Sequence, residues 1–324
     1  MEQKIKDPSM RKVALLFPGV GSQHVGMGKE FHDNFKVVRA TFEEAGEALK
    51  MDLAALCFDP AGKESLAGLL NSQVALFTLC VSIYRVYRQE ICPPPQYALG
   101  HSLGELSALC SAGVLRLVDA LALVKERGNI LNRAAATMNG LMAWVINLDN
   151  NIVREVCREY HGKAHVYVSA YDAPMQSSIS GMSEDIRQVG EQLVKKGAIV
   201  YPLKLSGPFH SPYMEPAVQP IKTLIQQYRF GESIFPVIAN RNARPYSGNR
   251  QDTIRNLSEQ LICPILWQDS LAYLQENQVQ IAVEVGPDRV LKHLVKNNTS
   301  SIFTYSLRDL NDLKALQGGL NERP

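Results

Sequence analysis

The sequence predicts an α/β fold: a large domain on a mostly parallel sheet with helices on both faces, interrupted by a small ferredoxin-like subdomain. Three observations carry this. Short apolar runs alternate with helical spacing towards both ends of the chain, the pattern of buried parallel strands and covering helices. The stretch between them runs strand-helix-strand-strand-helix-strand. At 324 residues and 46% hydrophobic, the chain has material for one large core and one small one.

The elements follow in order. Val13-Ala14-Leu15-Leu16-Phe17 reads as a buried strand ended by Pro18-Gly19, and a glycine-rich turn to Gly28 then becomes helical. Apolar spacing predicts one helix from Val37 to Leu56 and another from Gln73 to Arg88, the second apolar on most faces and so internal. Pro93-Pro94-Pro95 breaks the chain before a short strand at Tyr97-Ala98-Leu99. Helices are expected from Leu103 to near Gly113 and from Leu117 to Ala135. In the middle, strands are expected at Leu141 to Ile146, Val166 to Ala170, Ser177 to Ser180 and Ile199 to Leu203, with helices at Ile152 to Tyr160 and Asp185 to Lys196. Strands at Phe235 to Ala239 and Ile281 to Val285 return the chain to the large domain. The large domain is therefore residues 11–137 and 204–312, the subdomain 138–203, and residues 1–10 and 313–324 are expected to be loosely held.

Composition removes several classes of function. A formal net charge of +2 with no basic stripe does not suit a nucleic-acid binder. No two of Cys57, Cys80, Cys92, Cys110, Cys157 and Cys263 are spaced CxxC, so neither a zinc site nor a redox pair is expected, and no metal ligand is assigned. The opening MEQKIKDPSM lacks the apolar core of a signal peptide. No run approaches the ~20 apolar residues that span a bilayer. These features predict a soluble protein of the reducing cytoplasm.

Gly100-His101-Ser102-Leu103-Gly104 is a G-x-S-x-G sequence between a predicted strand and a predicted helix, the context of a nucleophile elbow and of an α/β-hydrolase-like large domain. Flanking glycines permit the sharp turn, and the helix behind Ser102 aims free N–H groups at developing negative charge. A serine hydroxyl needs a base. Of the seven histidines, His210 lies in Ser206-Gly207-Pro208-Phe209-His210-Ser211, just after the strand leaving the subdomain, from where it could overhang the cleft. The loop Phe17-Pro18-Gly19-Val20-Gly21-Ser22-Gln23 matches neither nucleotide motif: His24 stands where G-x-G-x-x-G needs glycine, and Met27 where a P-loop needs lysine. Such a turn can instead offer a backbone N–H to an oxyanion.

FPGVGSQ, GHSLGE, VKERG, SGPFHSPYM and EVGP, in this order, resemble the malonyl-CoA:acyl carrier protein transacylase family, over Lys12 to Lys296. The SGPFHSPYM stretch is more similar to free-standing acyltransferases of polyketide pathways than to the fatty-acid enzyme. The resemblance implies that Ser102 is the nucleophile and His210 the general base, oriented by a backbone carbonyl near Leu266. It implies an oxyanion hole from the N–H groups of Val20 and Leu103, and a pocket including Phe209, Gln23 and His101. Arg127 would grip the malonyl carboxylate, which suits a bidentate guanidinium fork. The substrates would be malonyl-CoA and a phosphopantetheinylated acyl carrier protein, with no bound cofactor and no metal. Acyl carrier proteins are commonly acidic, so a basic rim is expected, with Arg127, Arg133, Arg241, Arg244 and Lys292 as contributors.

One departure is visible: Val20 stands where the family usually has glutamine. It leaves a second reading, a relative that hydrolyses stalled acyl groups from carrier proteins. An esterase lacks an evident acid partner in Ser…Asp/Glu…His order. A catalytically silent carrier-docking protein would have no use for both Ser102 and His210.

Overall fold

β1 (Val13–Phe17) is the centre of the molecule, and every one of its residues is buried. The computed structural model describes residues 11–91 and 94–321. After β1 and β2 (Tyr97–Gly100) come β3 (Gly140–Ile146), β4 (Tyr167–Ala173), β5 (Gln176–Met182) and β6 (Ile199–Ser206), and then β7 (Val237–Ile238), β8 (Ile281–Val285) and β9 (Phe303–Leu307). The first sheet has five strands in the order β7-β2-β1-β8-β9, all parallel. Because side chains alternate across a strand, β1 feeds two layers. Val13, Leu15 and Phe17 join the larger core, with the helices Leu69–Glu90 and Leu117–Ala136. Ala14 and Leu16 join a second layer around Trp267 and Leu271.

The inserted sheet runs β4-β5-β3-β6, every neighbour antiparallel, the ferredoxin-like order. Its helices Asn150–Glu159 and Ser183–Lys195 cover one face through Val153, Ile186, Val189 and Leu193. Towards the large domain, Ala170 forms a parallel bridge with Ile265. β6 continues to Ser206, three residues past the expected boundary at 203.

Other expectations needed correction. The single helix from Val37 to Leu56 is two, Lys36–Leu49 and Leu53–Phe58. Lys50 turns left-handed at φ 55°, and the Asp52 carboxylate caps the second helix by accepting from the Ala55 N–H at 2.8 Å. Helix Leu69–Glu90 is long and apolar enough to cross a membrane, contrary to the sequence reading, but 78% of its most apolar window is buried inside the protein. The strand at Phe235 to Ala239 shrinks to the two residues of β7, and β9 was not foreseen. Helix Leu310–Asn321 buries Leu313 and Leu316, where a loose end was expected. Residues 1–10 and 322–324 lie outside the described residues, as does Cys92. The other five cysteines are free thiols.

Candidate active site

β2 ends at Gly100 and a helix begins at Leu103, so the chain must reverse at Ser102. Ser102 does this at φ 52°, ψ −109°, a strained conformation for a residue with a Cβ. Asn240 holds it there: its Oδ1 accepts from the Ser102 N–H (2.8 Å) and its Nδ2 donates to the Gly100 carbonyl (2.6 Å). The turn is packed backbone to backbone. A Cβ on Gly104 would stand 2.0 Å from the Phe17 carbonyl oxygen, and one on Gly100 would stand 1.9 Å from the Gly104 carbonyl carbon. Backbone cannot step aside as a side-chain tip can. Gly104→Ala is expected to destabilise the fold by about 3 kcal/mol or more in urea unfolding, the upper range for overpacking. An unchanged midpoint would show that β1 and the elbow are looser than this geometry.

His210 meets the serine: Ser102 Oγ and His210 Nε2 are 2.8 Å apart. Behind the ring, Nδ1 lies 2.9 Å from the backbone oxygen of Gln260. A carbonyl can only accept, so Nδ1 carries the proton and Nε2 is left free to take one. The orienting carbonyl is therefore Gln260's and not, as expected, Leu266's. The Leu266 oxygen instead accepts from the Ser270 N–H (3.0 Å) and Oγ (2.7 Å) at the start of helix Trp267–Glu276. Burial lowers the His210 pKa to about 3, with the Gln260 carbonyl opposing the shift and the charge of Arg127 adding to it. The imidazole is thus held in its neutral form well below the ordinary histidine range. Reaction of Ser102 with a neutral organophosphonate is expected to keep a level rate from pH 8 to about 5. An inflection near 6.5 would mean that His210 is solvated.

Arg127, from the helix Leu117–Ala136, is buried. Its Nη1 donates to Gln73 Oε1 (3.2 Å) and its Nη2 to Gln260 Oε1 (3.0 Å), both neutral amide oxygens. Burial lowers its pKa to about 10, opposed by the charge of Glu105. No carboxylate lies within ion-pair distance of it among the described residues. A buried guanidinium with spare donors and no touching anion has the chemistry to pair with a carboxylate. It is accordingly not part of a basic rim. Of the other rim candidates, Arg241 pairs with Glu259 at 2.6 Å and Arg244 lies over the Tyr273 ring.

The N–H of Leu103, first in its helix, and that of Val20 have no acceptor among the described residues. The Val20 loop is braced by its own side chains: Gln23 Oε1 accepts from the Gly21 N–H (2.7 Å) and Ser22 Oγ donates to the Gly19 carbonyl (3.1 Å). It also presses on the elbow, since a Cβ on Gly19 would come 2.7 Å from the His101 carbonyl oxygen. His101 points the other way, its Nε2 3.0 Å from Asp172 Oδ1 in β4 and its ring beside Trp267. It fastens the subdomain to the elbow. Phe209 is buried in the larger core, its ring close over Gly207.

Sequence reasoning missed Asn240, Gln260, Gln73, Glu105 and Tyr246. Glu105 is 0% exposed. Its carboxylate accepts from Tyr246 Oη (2.5 Å), the Asn240 N–H (3.2 Å) and Gln260 Nε2. Gln260 Nε2 also donates to the Ser102 carbonyl at 3.1 Å. The sole hint in the sequence was the final letter of GHSLGE; the others carry no spacing signal.

Residues 14–314 match the family model described as the acyl transferase domain. The chain is 37% identical over 308 residues to a malonyl CoA-acyl carrier protein transacylase of Bacillus subtilis, covering 95% of this chain and 76% of that protein. It is 34% identical over 302 residues to that of Escherichia coli, covering 93% and 97%. A polyketide biosynthesis malonyl CoA-acyl carrier protein transacylase of Bacillus velezensis is 35% identical over 295 residues, covering 89% and 98%. Among solved structures, the transacylase of Coxiella burnetii superposes with a TM-score of 0.93 at 30% identity, covering 97% and 99%. A malonyl-transacylase in complex with its type II polyketide synthase acyl-carrier protein superposes at 0.91 with 32% identity, covering 95% and 99%. This chain is an acyltransferase, and it belongs to the malonyl-CoA:acyl carrier protein transacylase family.

Proposed function

We propose that the enzyme moves a malonyl group from malonyl-CoA to the phosphopantetheine thiol of an acyl carrier protein, by way of an ester on Ser102. The observation that carries this reading is Arg127, a buried cation with no touching anion, tied through Gln260 to the base of the Ser102–His210 dyad. Arg127 pairs with the free carboxylate of the malonyl group and presents the thioester to Ser102. His210 Nε2 takes the hydroxyl proton as Oγ attacks the thioester carbonyl. The N–H groups of Leu103 and Val20 receive the oxyanion, and only the backbone of Val20 is needed for that. The carbon–sulfur bond breaks and the CoA thiolate takes the proton from His210. The carrier thiol then gives its proton to His210 and attacks the ester, and Ser102 recovers its proton. The SGPFHSPYM stretch and the Bacillus velezensis relative favour a polyketide carrier over a fatty-acid one as acceptor.

Intact-protein mass spectrometry tests the reading. After mixing with malonyl-CoA, a malonyl adduct is expected on Ser102, and adding a phosphopantetheinylated carrier protein should move it to the carrier. A polyketide carrier and a fatty-acid carrier run side by side would settle the pathway. An ester formed instead from acetyl-CoA or longer acyl-CoA, and lost to water with no carrier present, would replace this reading with that of an editing hydrolase.

A further inference from the structure

Glu105 is a buried ionisable group that the reaction above does not use. It sits in the first turn of the helix behind Ser102 and is fully enclosed. Two of its three donors lead on to the site. Gln260 Nε2 is one, and Gln260 also accepts from Arg127 Nη2 through its side-chain oxygen and from His210 Nδ1 through its backbone oxygen. Asn240 is the second, and its Oδ1 holds the Ser102 N–H. Tyr246 Oη is the third, at 2.5 Å. One carboxylate therefore holds the Gln260 side chain, which touches Arg127, and the Asn240 backbone, whose side chain holds the Ser102 N–H.

The same geometry sets a charge balance. Arg127 touches two neutral oxygens, and the anion nearest to it in the network is Glu105, one amide away through Gln260. A buried cation needs an anion, and a buried anion needs a cation. When a substrate carboxylate arrives on Arg127, two anions share one cation in an enclosed site. The one excluded from direct contact is Glu105.

We propose that Glu105 is a positioning residue that serves as the resting counter-charge of Arg127, and that it takes up a proton from solvent when a substrate carboxylate pairs with Arg127. This rests on the assignment of Arg127 to the malonyl carboxylate. The charged and titratable groups facing Glu105 are Arg127 from the helix Leu117–Ala136 and Tyr246 from the segment after β7, while His210 lies one residue further off, behind Gln260. Burial already raises the Glu105 pKa to about 7, against the lowering effect of Tyr246, Gln260, the Asn240 N–H and Arg127. Cancelling the Arg127 charge removes one of those lowering influences. Proton uptake is then greatest above pH 7, and malonyl-CoA binding weakens as pH rises through that range. A neutral acyl group leaves the balance untouched.

The test uses the full-length Ser102→Ala variant, which binds acyl-CoA without forming the ester. Titration calorimetry at pH 7.5 in two buffers of different ionisation heat counts protons taken up on binding. Malonyl-CoA is expected to take up about half a proton or more beyond acetyl-CoA, the shared CoA phosphates cancelling in the comparison. Adding Glu105→Gln should abolish the difference. Tyr246→Phe, which removes a hydrogen bond that lowers the Glu105 pKa, should move the uptake window to higher pH. Equal proton counts for the two ligands, with malonyl-CoA still the tighter, would overturn the Glu105 proposal alone. Uptake that survives Glu105→Gln would assign the proton to another group and also overturn it. If malonyl-CoA binds no more tightly than acetyl-CoA, the Arg127 assignment fails and this proposal falls with it.

Discussion

His210→Ala is expected to slow malonylation of Ser102 by about 10²- to 10⁴-fold, the usual value of a positioned base. Among the described residues, the imidazole is the titratable group in hydrogen-bond reach of the serine hydroxyl, at 2.8 Å from Oγ. No second base stands behind it, because the partner of Nδ1 is a peptide oxygen and not a carboxylate. The effect should not add to that of Ser102→Ala. Residues that act as one unit lose their function together, so the double variant should be no slower than the single ones. The measurement is single-turnover adduct formation followed by quenched mass spectrometry for His210→Ala, and residual malonyl transfer from malonyl-CoA to the carrier for the variants that lack Ser102. A His210→Ala enzyme that kept a tenth of the rate would remove His210 from the mechanism.

Arg127→Ala should reverse the acyl preference. Truncating one partner of a desolvated charge pair costs roughly 2–5 kcal/mol, so kcat/KM for malonyl-CoA should fall about 30- to 4,000-fold. Acetyl-CoA, which has no carboxylate, should lose nothing and should gain from the space and the lost cation. Arg127→Lys should fall between, because an ammonium keeps the charge but cannot replace a fork that reaches Gln73, Gln260 and a carboxylate together. If kcat/KM dropped equally for both thioesters, Arg127 would be a structural residue, and its bonds to the two glutamines would be the reason for its burial.

The parts of the site that could be read from the chain are those in which a side chain does the chemistry within a short segment. The strand, turn and helix around Ser102 are contiguous, and two glycines mark them. His210 and Arg127 were legible because their motifs resemble a family's. The supporting residues were not, because they act across the chain: Asn240 reaches Ser102 over 138 positions, and Gln260 reaches Arg127 over 133. The misplaced carbonyl has the same cause. A peptide oxygen has no side-chain signature, and Leu266 and Gln260 flank one turn beyond the helix Arg250–Glu259. In the fold, β9 was missed because Phe303 is 63% exposed in an otherwise inward-facing edge strand, which blurs its alternation. The final helix was missed because only Leu313 and Leu316 anchor it strongly.

The peptide oxygen behind His210 also bears on which nucleophile the proposed acyl-serine would meet most readily. An imidazole backed by a neutral carbonyl, in surroundings that resist its protonation down to about pH 3, is a reluctant proton acceptor. Water, with a pKa of about 15.7, depends on that base to take its proton as it attacks, as the serine hydroxyl does. A thiol, at about 8.5, is far more acidic and asks less of it. In the proposed reaction the demand on the base is thus smaller for a thiol than for water, and the proposed ester on Ser102 is expected to discharge to a carrier thiol faster than to solvent.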